Sequence, residues 1–153
     1  MGFHYLAFRT FCQATEDEEK VTLALRYASG AEGVERSASE GYHGNKIVVL
    51  ENAIRSKKKT DAFFDRLSDS DVAQILETLE QRVNEECALF FRLDKQEAYL
   101  GRLVVTKGDD VISVRAKIEC YPKRRENALE QARQYFGSIL SSASERAHSR
   151  EPA

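Results

Sequence analysis

Residues 111–120, VISVRAKIEC, alternate without a break. Ile112, Val114, Ala116, Ile118 and Cys120 share one parity, while Ser113, Arg115, Lys117 and Glu119 share the other. Successive side chains of a strand point to opposite faces, so this stretch offers one face to a core and a cationic face to something else. CALFFRL, at 87–93, repeats the pattern: Cys87, Leu89, Phe91 and Leu93 alternate with Phe90 and Arg92. Neighbouring strands of this kind require a covering layer on the apolar side only. That requirement restricts the chain to a sheet with one dressed face.

The rest of the chain supplies that layer. FHYLAFRTFC (3–12) and KIVVLENAIR (46–55) read as further strands, and residues 30–45 as a loop or irregular strand. Residues 100–107 read as a strand joined to 111–120 by the KGDD turn, giving a meander with 87–93. Helical spacing predicts a helix over 15–28, with Thr15 as N-cap, Glu18 completing a capping box, and Gly30 and Gly33 ending it. A short helix follows at SKKKTDAFFDRL (56–67). A third, capped by Ser68 or Ser70, carries Val72, Ile75, Leu76, Leu79 and Val83 on one stripe. Pro122 suits the first turn of a last helix with Ala128, Leu129, Ala132, Tyr135, Phe136, Ile139 and Leu140 on its apolar side. The predicted order is β-α-β-α-α-β-β-β-α. It implies an α+β two-layer sandwich in which helices cover one face of a mainly antiparallel five-stranded sheet. Residues 1–141 form one domain in this reading, and 142–153 a flexible polar tail.

Charge is distributed unevenly. The chain of 153 residues carries a net charge of −2, yet residues 87–125 hold nine Lys and Arg against five Asp and Glu. A near-neutral total therefore conceals a basic segment able to generate a local positive field. Apolar runs such as IVVL are too short to span a membrane, and MGFHYLAFRT lacks the features of a signal peptide. Leu6 stands where a myristoylation signal wants Ser or Thr, and the expected location is cytoplasmic. Cys12, Cys87 and Cys120 are far apart in apolar runs and read as reduced core thiols. With His4, His43 and His148 they make no metal-ligand spacing, and no metal or cofactor is expected. No Gly-rich phosphate loop or nucleophile motif is present, and His43 in GYHGN has no identifiable catalytic partner, so a non-enzymatic protein is expected.

Alternation places Phe90, Arg92, Arg102, Val104, Thr106, Ser113, Arg115 and Lys117 on the uncovered face, with Arg9 joining them from the first strand. Lys57, Lys58, Lys59, Lys123, Arg124 and Arg125 flank helix starts and extend the basic rim. Guanidinium groups pair with phosphates and exposed rings stack on unpaired bases, so RNA is one expected partner. The competing expectation is a protein–protein adaptor or homodimer that buries Phe90 and Val104.

Four stretches, FRTFCQATEDEEKV (8–21), EGYHGNKIVVLE (40–51), LFFRLDKQEAYLG (89–101) and RAKIECYPKRRENAL (115–129), resemble archaeal proteins described as predicted exosome subunits or RNA-binding proteins. The resemblance covers most of residues 3–140 and departs at Lys46, where the family often has proline. It implies an α+β fold akin to an RNA-binding ribosomal protein, and a link to exosome-dependent RNA processing or to ribosomal components. In FRLDKQ it adds Lys95 and Gln96 to Arg92 as expected contacts to phosphate and base edges.

Overall fold

The first strand, β1 (Phe3–Cys12), lies at the centre of the sheet. This is a computed structural model describing residues 2–40 and 46–150. Helix α1 (Glu18–Ser29) follows, then the antiparallel strands β2 (Glu35–Glu40) and β3 (Lys46–Ile54). Three helices come next: α2 (Lys57–Asp65), α3 (Asp69–Glu77) and the single turn α4 (Leu79–Arg82). Strand β4 (Ala88–Asp94), the short helix α5 (Lys95–Tyr99), strand β5 (Val111–Ile118) and the long helix α6 (Arg125–Arg150) complete the chain. The five strands form one antiparallel sheet in the order β2-β3-β1-β5-β4.

Parity sets the layers. Leu6, Phe8, Thr10 and Cys12 of β1 are buried with Leu89, Phe91 and Leu93 of β4 and with Ile112, Val114, Ala116 and Ile118 of β5. Helices α1, α2 and α6 pack on this side. Between sheet and helices lies an aromatic cluster: Phe64 stacks on Phe3 with ring centroids 4.9 Å apart and meets Phe136 edge-on at 5.2 Å, and Phe63 meets Phe8 at 5.3 Å. Such pairings add about 0.5–1.5 kcal/mol each beyond the area they bury.

The α+β architecture with one dressed face matches the sequence expectation, but the element order departs from β-α-β-α-α-β-β-β-α, most of all at two stretches. Residues 35–40 are a strand, because ERSASE pairs along β3 from Glu35 opposite Glu51 to Glu40 opposite Lys46. Residues 100–107 are not a strand of the sheet. The Asp94 side chain accepts a hydrogen bond from Glu97 N and starts α5, so the chain leaves β4 and returns only at an isolated bridge between Leu93 and Val105. Strands β4 and β5 therefore pair directly, Phe90 opposite Arg115 and Arg92 opposite Ser113.

Smaller differences concern helix ends. Asp17, not Thr15, caps α1 by accepting from Glu19 N, and Gly30 closes it at φ +75°, a backbone state that glycine adopts without strain. Ser56 and Ser68 cap α2 and α3, and the stripe from Val72 to Val83 breaks at Thr78. Pro122 follows a cis peptide bond in the connection before α6 rather than opening that helix. From 142, where composition predicts a flexible tail, α6 continues to Arg150. The Gly41–Asn45 loop, with His43, lies outside the described residues.

Candidate nucleic-acid interface

The uncovered face is built in cross-strand rows. One row runs Glu35, Glu51, Arg9, Ser113, Arg92, from β2 across to β4. A second places Ala53, Ala7, Arg115 and Phe90 side by side. Sign changes across the face: the β2–β3 half presents Glu35 and Glu51, whereas the β1–β5–β4 half presents Arg9, Arg92, Arg115 and Lys117. Two large rings stand out of the sheet among these cations, Phe11 with 45% of its surface exposed and Phe90 with 42%. Each lies under a guanidinium, Arg9 5.2 Å from the Phe11 centroid and Arg115 5.7 Å from that of Phe90. A third pair of the same kind, Arg55 over Tyr5 at 5.5 Å, borders the face. A cation over a ring face is worth about 0.5–1 kcal/mol at exposed sites, so these pairs hold the guanidinium planes in place without consuming their donors.

Arg9, Phe90, Arg92, Arg115 and Lys117, expected to share a face, do so. Arg92 keeps one weak contact, Nη1 to Gly108 O at 3.4 Å. Arg115 donates to a Glu86 carboxylate oxygen at 3.1 Å, and Lys117 Nζ donates to the Glu86 carbonyl. The Nε of Arg115 is buried without a protein acceptor among the described residues. Glu86 is placed there by a tight turn in which Asn84 Oδ1 accepts from both Glu86 N and Ala88 N, at 3.0 Å each, and Cys87 takes φ +64°. The Lys117 ammonium is held below its usual range by burial and then by the like charge of Lys123 beside it. Lys123 and Arg124 are exposed, next to Tyr121, which is 94% exposed.

The remaining candidates are drawn elsewhere. Lys95 is 4% exposed, and its Nζ donates to Phe11 O at 2.9 Å, to both Glu16 carboxylate oxygens at 3.0 Å and to Asp110 at 2.8 Å. Burial alone would lower its pKa, but Asp110 and Glu16 outweigh that and hold it above the ordinary lysine value. With every donor committed, Lys95 ties α5 to the end of β1 and has no proton left for a phosphate. Gln96 donates to Asp110 Oδ2 at 3.0 Å. Arg102 is ion-paired to Glu97 at 2.6 Å in a turn whose Gly101 carbonyl accepts from the Tyr27 hydroxyl of α1, which ties it to the helical layer rather than the row of Arg9 and Arg92. Arg125 spends its guanidinium on the carbonyls of Val83 and Glu80, at 3.0 and 2.6 Å. Of the lysines in the first turn of α2, Lys57 is paired to Asp61 at 2.7 Å. Phe11 and Arg55 are face residues that the sequence reading passed over. Phe11 follows from the parity that selects Arg9, so the signal was available.

Cys12 and Cys87 are buried, Cys120 is half-buried, and all three are free thiols. Burial raises the Cys12 thiol, with Glu16 and Glu18 adding to it, so it stays protonated and unreactive. No group of three or more His, Cys, Asp or Glu able to hold a metal occurs among the described residues, and no described helix is long and apolar enough to cross a membrane.

Comparison with known proteins adds what geometry cannot. A family model described as RNA binding matches residues 5–118, three quarters of the chain, from within β1 to the end of β5. The chain belongs to this RNA-binding family. A Pyrococcus abyssi protein named RNA-binding protein PAB1135 is 35% identical over 143 residues, covering 87% of this chain and 93% of its own. Among solved structures, Mth689, a DUF54 protein from Methanothermobacter thermautotrophicus, superposes with a TM-score of 0.76 at 34% identity and covers 89% of this chain and 99% of its own. AF2318 from Archaeglobus fulgidus, also a DUF54 protein, gives 0.77 at 32% identity over 87% and 99%. The family match spans the cationic rows and both exposed rings, from Arg9 and Phe11 to Phe90, Arg92 and Arg115.

Proposed function

We propose that this protein binds RNA on the β1–β5–β4 half of its open sheet face. It acts there as a cytoplasmic, non-enzymatic accessory protein in exosome-linked RNA processing or in ribosome metabolism. The observation that carries the reading is the row Arg9–Ser113–Arg92, with Phe11 and Phe90 rising beside it on the sheet face opposite the buried core side chains. Guanidinium groups supply bidentate donors to phosphate, and the rings supply sequence-tolerant stacking surfaces. The acidic β2–β3 half repels a polyanion and so confines its path to the other half. The family's description and the name of the Pyrococcus abyssi relative support the same reading.

The test is a fluorescence anisotropy titration of RNA at a series of salt concentrations. Binding should weaken steeply with salt. Arg9→Ala and Arg92→Ala should each lower the logarithmic slope by about 0.7, the value for one lost phosphate contact on a single strand. Arg102→Ala, which removes a cation outside the row, should leave affinity within about twofold, the scale of a surface ion pair. Absent or salt-independent binding would overturn the reading. A dimer in light scattering that Phe90→Glu splits would replace it with the adaptor alternative. Sequencing of RNA crosslinked to the protein in cells decides between exosome substrates and ribosomal RNA.

A further inference from the structure

Strand β4 is the outermost strand on the cationic side, yet its outer border is only partly open. At one end Asn84 N donates to Ala88 O at 3.0 Å, and Arg82 Nη1 reaches Phe90 O at 3.4 Å. At the other, Thr106 N donates to Arg92 O at 2.9 Å and Asp94 N to Val104 O at 2.8 Å. Two chain segments, 81–84 and 104–107, thus strap the strand from both ends and leave a notch between them. The notch is a cavity of about 560 Å³ in which the Phe90 ring forms one wall and Gln81, Arg82, Arg92, Thr106 and Lys107 supply polar groups.

Its charge sets it apart. Three cations and no carboxylate line it, whereas four further cavities on the surface each carry at least two carboxylates. In a chain with 25 Asp and Glu, a concavity free of them admits an anion without repulsion. The volume falls within the range of small-ligand sites, and an aromatic wall with a few convergent donors and acceptors is how such sites are furnished. The Gln81 side chain has no protein hydrogen-bond partner among the described residues, so its carboxamide can both give and accept. The notch opens onto the same face as Arg92 and Ser113, and a strand crossing the Arg9–Arg92 row therefore arrives at its mouth.

We infer that the notch beside β4 captures one unpaired nucleobase, stacked on Phe90 and hydrogen-bonded through Gln81, with Arg92 and Lys107 taking the flanking phosphates. The protein then selects single-stranded RNA, or a bulged nucleotide, over a continuous duplex, because a paired base cannot leave its stack to enter without losing its partner. This inference rests on the RNA-binding reading above and specifies the class of RNA.

The test uses the full chain and three fluorescent RNAs: an unstructured 12-mer, a blunt duplex, and the same duplex with a single bulged base. Affinity for the 12-mer and the bulged duplex should exceed that for the blunt duplex by about tenfold or more. Phe90→Leu should cost the 12-mer about tenfold, the scale of one lost base stack. Phe90→Trp should retain or tighten binding, and Gln81→Ala should lower affinity severalfold without changing the melting temperature. A 4-thiouridine placed at the bulge should crosslink to the peptide containing Gln81 or Phe90. Equal affinity for all three RNAs overturns the inference. So do Phe90→Leu and Gln81→Ala proteins that bind normally while Arg9→Ala weakens binding; that result keeps the RNA-binding reading and removes the pocket. Failure to bind any of the three removes both.

Discussion

Residues that look alike in sequence divide here according to which protein groups reach them first. Arg92 and Lys95 are three positions apart in a basic stretch, yet one stands on the open face and the other is surrounded by Phe11 O, Glu16 and Asp110. Glu86 exerts a subtler control, since its carboxylate occupies part of the Arg115 guanidinium. Glu86→Gln should release that group and tighten RNA binding about two- to threefold at low salt, an effect that anisotropy should show fading as ionic strength rises. Acid stability follows from two carboxylates. Burial alone would raise Asp61, but hydrogen bonds from Lys57 and Tyr135 outweigh it and hold it below the ordinary range; Asp110 is held low by Lys95 against the opposing effect of burial. A carboxyl whose folded pKa is depressed contributes stability that is complete above its unfolded value, about 3.9, and is lost as pH falls through the lower folded value. The protein should therefore lose melting temperature below about pH 4, and Asp61→Asn should be less stable near neutrality with a shallower acid decline in thermal melts.

Among the elements, α2 couples the layers because Phe63 and Phe64 sit between the sheet and α6. Phe64→Ala should cost about 3–5 kcal/mol in urea denaturation, the range for emptying a fully buried aromatic site. How much of this was legible differs by element. Strands β4 and β5 declare themselves through period-two alternation, β1 and β3 through short runs of apolar, aromatic and β-branched residues, and α3 through a serine cap and helical spacing. β2 does not: ERSASE has almost no apolar residue, since an edge strand with polar surroundings needs none, and only its pairing with β3 reveals it. Residues 100–107 mislead in the opposite direction. Leu103 and Val105 alternate and are buried, but Asp94 caps a helical turn first, and that local hydrogen bond sends the chain off the sheet. The consequence reaches the site. Arg102 inherits its expected place on the face from a strand that does not form, while Phe90, Arg92, Arg115 and Lys117 keep theirs because β4 and β5 do. Lys95 was illegible because the carboxylates that claim it, Glu16 and Asp110, are distant in sequence.

At the scale of the molecule, one core joins strands β1, β3, β4 and β5 to the helices, and equilibrium unfolding should be a single cooperative transition. The chain has six tyrosines and no tryptophan, so tyrosine fluorescence and far-ultraviolet circular dichroism are the probes to compare. Coincident urea curves are expected, and separated ones would divide the core. The arrangement of the sheet's two borders has a further result. One border is strapped by 81–84 and 104–107; the other, β2, is six residues long and begins and ends with glutamate. Bare strand borders are where folded β-proteins recruit one another into growing ribbons, and brevity, charge and covering segments each frustrate that growth. Both borders of this sheet therefore discourage pairing with a further strand, while Phe11 and Phe90 stand exposed on the face between them.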